Sequence, residues 1–327
     1  MIKAIVIILC SLGITVISGL IFIPVQRRIK AGQPVYKYVE THKSKNGTPT
    51  MGGLFFIVSA TVVYFIFCGF NNRLATFSVA IGVAFMMVGF LDDLLKIRRN
   101  DNEGLRPYQK IIFQIAIGTF AGFFAFNNGL TVFYVPFSNI KLELGVFTIF
   151  IVAVILIAIT NSVNLTDGLD GLAGSVSATY LVCLIGVVLL QINNLGSTNV
   201  VAEEYANLVY LSVSLIGAIF GFLFFNTNRA SVFMGDTGSL SLGGFIGAIS
   251  IFSSNGFLMP FIGIMFVMSS ISVIIQVIYF KKTKKRIFLM APLHHHFQLK
   301  GGSESKIAFT YSLITFVTGV LVMIPYV

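Results

Sequence analysis

Charge is what this chain has least of. Lysine, arginine, aspartate and glutamate make up 10% of its 327 residues, against about 25% in an ordinary soluble domain. With 56% hydrophobic residues and a mean hydropathy of +0.91, that scarcity excludes a soluble globular protein and predicts several membrane crossings. Cysteine is scarce too. Cys10, Cys68 and Cys183 all fall inside apolar runs, which excludes a disulfide framework and a thiolate zinc site and leaves core packing. No Walker or Rossmann glycine pattern occurs. The first apolar run, Ala4 to Ile23, lacks a small-residue cleavage site, so it reads as a membrane span and not as a signal peptide.

What the chain has in quantity is long apolar runs. Hydropathy predicts about ten spans, at roughly 4–24, 51–70, 74–95, 109–127, 144–160, 172–190, 207–225, 238–253, 257–280 and 307–326. They form one all-α polytopic membrane domain over residues 1–327. Of the 22 basic residues, all but Lys3, Arg73 and Lys141 fall in the segments after spans 1, 3, 7 and 9. The positive-inside rule then puts both termini outside and those segments, with the one after span 5, in the cytoplasm. The net charge of +10 is thereby a topology signal, and nucleic acid is excluded as a partner. On the outer side, Leu130 to Leu144 alternates around Ser138-Asn139 and predicts a β-hairpin.

The inner side holds the chemistry. Asn161, Asn164, Asp167 and Asp170 recur every third residue between two apolar runs. On a helix, neighbours in such a row share a face, and Asp167 and Asp170 would sit about 5–6 Å apart at Cβ, close enough to share a cation. The alternative is a solvated inter-helix turn, since Asn, Asp and Gly also form turns. Span 3 ends in Asp92-Asp93, followed by Lys96. Adjacent acids there oppose the helix dipole and resist joint ionisation without a cation; the plainer reading is a solvated helix end with Lys96 as counterion. Thr48 or Thr50 can cap a helix starting at Pro49, whose free N–H groups, with Lys45, would welcome a phosphate. Asp236, between Gly235 and Gly238, is either an N-cap or a Mg²⁺ ligand beside a phosphate. The run Lys281 to Arg286 and the apolar piece after it suit an anionic lipid surface. His294, His295 and His296 cannot all face one point on a helix, so one or two of them suit phosphate or sugar oxygens or a proton relay. Hard oxygen ligands imply Mg²⁺, and lysines with helix N-termini imply phosphate. Such a site at a membrane surface suits transfer of a phosphorylated sugar onto a lipid phosphate.

Five segments carry a resemblance in order along nearly the whole chain. They are Gly47-Thr48-Pro49-Thr50-Met51-Gly52-Gly53, Phe90-Leu91-Asp92-Asp93, Asn164 to Ala173, Met234-Gly235-Asp236-Thr237-Gly238-Ser239 and Pro292-Leu293-His294-His295-His296-Phe297. Together they resemble the polyprenyl-phosphate N-acetylhexosamine-1-phosphate transferases. The triple histidine points, within that family, to members that join UDP-N-acetylmuramoyl-pentapeptide to undecaprenyl phosphate in the bacterial plasma membrane, releasing UMP. The resemblance implies Mg²⁺ as cofactor, held by Asp236 with Asp167, and a catalytic set of Asp92, Asp93, Asp236 and His294. Asp92 is the implied base or nucleophile. For substrate binding it implies Lys45, Thr50, Lys96, Lys110, Asn161, Asn164, Asp167, Asp170, Asn226, Phe233, Gly235, His295 and His296. Gln298 and Gly302 depart from the family pattern, which has Glu and Trp there. The implied partners are the UDP-sugar, the lipid phosphate and the bilayer, and a homodimer is left open. A sister transferase of N-acetylglucosamine-1-phosphate is the near alternative. A secondary transporter is the distant one, disfavoured because transporters place their ionisable groups near mid-membrane.

Overall fold

The structure is a computed structural model describing residues 2–28, 47–99, 104–138, 140–195, 199–227 and 229–326. Its helices are α1 (Ile2–Arg28), α2 (Gly53–Cys68), α3 (Arg73–Arg99), α4 (Pro107–Asn127), α5 (Thr148–Thr166), α6 (Leu172–Leu195), α7 (Val200–Asn226), α8 (Gly235–Phe252), α9 (Met259–Ile262), α10 (Ile264–Thr283), α11 (Leu293–Leu299) and α12 (Glu304–Met323). The expected hairpin is present between α4 and α5: β1 (Val132–Tyr134) pairs antiparallel with β2 (Lys141–Glu143).

Among the described residues, eight helices are long and apolar enough to cross a membrane: α1, α3, α4, α5 with the short 3-10 turn before it, α6, α7, α10 and α12. The chain is therefore an all-α, multi-pass membrane protein. The other two expected spans are α2, with 16 residues, and α8, with 18 residues rich in glycine and serine. The expected span at 257–280 is broken at Gly263 into α9 and α10. At 1.5 Å per residue α2 reaches only about 24 Å, less than the roughly 30 Å hydrocarbon core.

The core is built on α8. Every residue from Thr237 to Phe252 is buried, as expected of a helix with no polar face. It packs on α3, α5 and α2. Small residues allow this closeness, as in other membrane bundles. A side chain at Gly243 would meet the backbone of Thr160, and one at Gly244 would meet Phe85. Ser241 donates its hydroxyl to the Gly82 carbonyl at 2.9 Å, across to α3. Around this centre, α1 lies on α7, α7 on α6, α6 on α12, and α4 and α10 on α5. The outer helices turn apolar side chains outward, including Leu9, Ile17 and Leu20 of α1, Ile274 and Ile278 of α10, and Phe309 of α12.

The two ends of the bundle differ. At one, Arg73 of α3 meets Asn128 at 3.0 Å and Glu204 at 3.4 Å, and Glu204 also accepts the Leu74 N–H. The other end gathers Asp92, Asp93, Lys96, Lys110, Asn164 and Asp236.

Candidate active site

The site exists because two glycine-rich motifs dock backbone to backbone. The Phe233 N–H donates to the Pro49 carbonyl at 2.8 Å, and the Gly52 and Gly53 N–H groups donate to the Phe233 and Met234 carbonyls, each at 2.9 Å. Gly53 rests directly on Gly238, and Gly89 of α3 rests on the Asp236 carbonyl; a Cβ at either would strike backbone. This corrects the expected phosphate-binding helix start. The helix begins at Gly53, neither Thr48 nor Thr50 caps it, and the amides of Gly52 and Gly53 are spent on the docking. Thr50 is buried beside Gly235, its hydroxyl without a partner among the described residues. Lys45 lies outside the described residues.

Docking brings α3 and α8 together at their acidic ends. Asp92 and Asp93 are fully buried, and with Asp236 they present oxygens that lie within 4.8 Å of one another. Lys96 Nζ is 2.7 Å from Asp92, 3.4 Å from Asp236 and 3.8 Å from Asp93. Lys110, from α4, is 2.5 Å from Asp236 and 3.1 Å from Asp92. The Leu105 N–H donates to Asp92 at 2.8 Å. Asp93 accepts the N–H of Asp236 at 3.2 Å, the N–H of Thr237 at 2.9 Å and the hydroxyl of Thr237 at 2.7 Å. Asn164 donates to Asp236 at 2.9 Å and to Ser239 at 2.8 Å. The solvated-end reading of Asp92-Asp93 thus gives way: Lys96 is a counterion, but the acids are sealed inside. Asp236 is the second residue of α8 and not its N-cap, which is Met234.

Three carboxylates outnumber the two ammoniums between them, and all their donor atoms are hard oxygens. That donor set fits Mg²⁺. Asp167 is not among the three acids that come within reach of one another. It does feel them: burial first, then the negative charges of Asp236, Asp93 and Asp170, raise its carboxyl to about 8.

The three-residue row breaks where α5 ends. Asn161 and Asn164 are helical, Thr166 is the last helical residue, and Asp167 to Gly171 form a turn. The helical pairing of Asp167 with Asp170 is therefore corrected in favour of the turn, which closes before α6 at Gly171 with φ +74°. Asn161 pairs with Gln114 of α4 at 2.8 Å. Asp170 accepts the Ala230 N–H at 2.9 Å, while its own N–H donates to Glu304 at 2.8 Å. Asn226, expected to bind substrate, has both ends of its amide on main chain: it accepts the Gly171 N–H and donates to the Val232 carbonyl. Phe233 contributes its backbone to the docking, and its side chain is partly exposed.

The histidines divide. His294 and His295 lie in α11 with their Nε2 atoms over Gly168, where a side chain would collide with both rings. His294 is fully buried with neither ring nitrogen hydrogen-bonded among the described residues, and burial with His295 beside it holds its pKa well below the usual range. His295 Nδ1 meets Gln298, which donates to Glu304. His296 is turned away and accepts the Leu289 N–H at 3.1 Å, bracing the preceding loop. Thr237, Ser239, Gln114 and Glu304 were missed in the sequence. The first two stood in the Gly-Asp-Thr-Gly-Ser motif, whereas Gln114 and Glu304 carried no local signal.

Comparison with known proteins follows the same motifs. The family model described as Glycosyl transferase family 4 matches residues 74–254, and that of the phospho-N-acetylmuramoyl-pentapeptide-transferase signature 1 matches residues 45–57. A phospho-N-acetylmuramoyl-pentapeptide-transferase of Clostridioides difficile (strain 630) is 39% identical, over 93% of this chain and 92% of the relative. One of Clostridium botulinum (strain Alaska E43 / Type E3) is 40% identical over 94% and 92%. One of Desulfitobacterium hafniense (strain DSM 10664 / DCB-2) is 40% identical over 97% and 95%.

Proposed function

The chain belongs to the phospho-N-acetylmuramoyl-pentapeptide-transferase family, and on that premise we propose that it moves phospho-N-acetylmuramoyl-pentapeptide from UDP to undecaprenyl phosphate, releasing UMP. The observation that carries this reading is the convergence of Asp92, Asp93 and Asp236 with Lys96 and Lys110 at one end of the bundle. Phosphoryl transfer asks mainly for positioning and charge stabilisation, and this cluster offers both. Asp236 would hold Mg²⁺, with Asp167 as the second candidate ligand, and the bound ion would neutralise charge on the UDP-sugar diphosphate. Lys96 and Lys110 would take phosphate oxygens. Asp92 is assigned the role of base and orienting group toward the lipid phosphate. His294 and His295, which lie over the Gly168 turn, would line the sugar-nucleotide side.

The test is purified protein with undecaprenyl phosphate, Mg²⁺ and each UDP-sugar in turn, following UMP. UMP release is expected with UDP-N-acetylmuramoyl-pentapeptide and not with UDP-N-acetylglucosamine. The reverse preference would assign the chain to the sister reaction, and release with neither would remove the transferase reading.

The proposed setting is the bacterial plasma membrane, with the acidic and basic end of the bundle in the cytoplasm and both termini outside. On a background lacking Cys10, Cys68 and Cys183, a Lys300→Cys variant should react with an impermeant thiol reagent only when the inner face is opened. Labelling of intact cells at that position would invert the orientation.

A further inference from the structure

Helix α8 starts without a cap of its own. Met234 stands at the N-cap position, and its side chain makes no capping hydrogen bond. The first amides of a helix still need acceptors, and here they are buried. Asp93 supplies them from another helix. One of its oxygens accepts the Asp236 N–H, and the other accepts both the N–H and the hydroxyl of Thr237. Those are the second and third residues of α8, the two whose amides an N-cap side chain normally engages. A carboxylate there also complements the helix dipole. The approach is tight on both sides: Gly89, one turn earlier in α3, rests on the Asp236 carbonyl, and a side chain at Gly235 would collide with Asp93.

We propose that Asp93 is a positioning residue, capping α8 so that the Asp236 carboxylate is set toward Lys96, Lys110 and Asn164. This rests on the reading of Asp236 as the metal-holding group. It separates the roles of adjacent acids: Asp92 shares Lys96 and Lys110 with Asp236, whereas Asp93 spends three hydrogen bonds on the turn that carries Asp236. Thr237 then matters through its hydroxyl, which locks the cap.

Binding of Mn²⁺ to the purified full chain, read by electron paramagnetic resonance, tests this independently of turnover. Thr237→Val keeps the shape and the N–H but removes the hydroxyl, and should weaken Mn²⁺ binding about fivefold, the usual scale of one hydrogen bond. Thr237→Ser should restore it. Asp93→Asn should weaken binding more, and adding Thr237→Val to it should cost less than about twofold further, since both act through one contact. If Asp93 were itself a ligand, loss of the hydroxyl would free it, and Thr237→Val would bind Mn²⁺ as tightly as wild type or more tightly. That result overturns the proposal, as do additive losses or a wild-type chain that binds no Mn²⁺. Should Thr237→Val lower the melting temperature beyond use, Thr237→Ala against Thr237→Ser makes the same comparison. Absent UMP release with this Mn²⁺ pattern intact would sink the transferase reading and leave the cap standing; normal UMP release with Mn²⁺ binding indifferent to Thr237 would do the opposite.

Discussion

Asp236→Asn is expected to lose about a thousandfold in turnover, roughly 4 kcal/mol of transition-state stabilisation, at every Mg²⁺ concentration tried. The side chain is where Lys96, Lys110 and Asn164 converge, so replacing its charge removes both the proposed metal ligand and the shared partner of two lysines. The fold should survive. An amide of the same shape still accepts from Asn164, and the bond to the Asp93 carboxylate comes from the Asp236 backbone N–H, which the substitution leaves in place. Asp92→Asn should behave differently. A phosphomonoester has its second pKa near 6, so the lipid phosphate loses its proton unaided as pH rises. The expected loss is about a hundredfold at or below pH 6, shrinking toward pH 8, because hydroxide replaces a base but not a metal ligand. UMP release across that range is the measurement. A deficit for Asp92→Asn that stays flat with pH would remove its role as base, and full turnover by Asp236→Asn at ordinary Mg²⁺ would remove Asp236 from the metal site.

The second large effect needs no charge change. Gly53→Ala places a methyl group on the backbone nitrogen and Cα of Gly238 and on the carbonyl carbon of Thr237. None of these can swing aside, because they belong to the first turn of α8. Helix α2 must lift instead, stretching the Gly52 and Gly53 bonds to Phe233 and Met234. Overpacking of this kind costs about 1–3 kcal/mol in stability. The cost in rate is larger, since Asp236 is one residue from the point of collision and a displacement of about 1 Å can cost a hundredfold. Gly13→Ala is the matched control: a Cβ there meets nothing within 4 Å. Thermal unfolding in detergent and UMP release should both separate the two variants. Turnover by Gly53→Ala within about twofold of wild type would show that the docking does not hold the site.

Much of the architecture was legible because membrane solvation leaves so few options. Long apolar runs had to be helices, and the alternation around Ser138-Asn139 did become a hairpin. The two short or polar spans, α2 and α8, were legible as segments but not as a pair. Hydropathy sees composition, and it does not see that Gly53 and Gly238 must touch. At the site, Asp92 and Asp93 could be named from the expense of acids at the end of an apolar helix and Asp236 from its glycine-flanked turn, and the structure brings all three together. The spacing of Asn161, Asn164, Asp167 and Asp170 misled, because a period of three is written identically for a helix and for a helix followed by a turn. Gly168 and Gly171 held the answer: one makes room for two histidine rings, the other takes the positive φ that closes the turn before α6. Lys96 was legible as the counterion of Asp92-Asp93, Lys110 entered only through family resemblance, and Glu304, remote in sequence from the turn it holds, could not have been found by local pattern.

The burial of α8 has a consequence for how the protein meets its bilayer. From Thr237 to Phe252 the helix has protein on every side, so the element presenting Asp236 has no contact with lipid tails. Its surroundings have the density and stiffness of a folded interior, and they do not change with acyl-chain length or fluidity. A change in membrane thickness is felt first by α1, α10 and α12, whose apolar side chains face outward, and each of these can tilt against its neighbour at little cost. The reaction centre is thus mounted on the part of the molecule least exposed to the solvent through which its lipid substrate arrives.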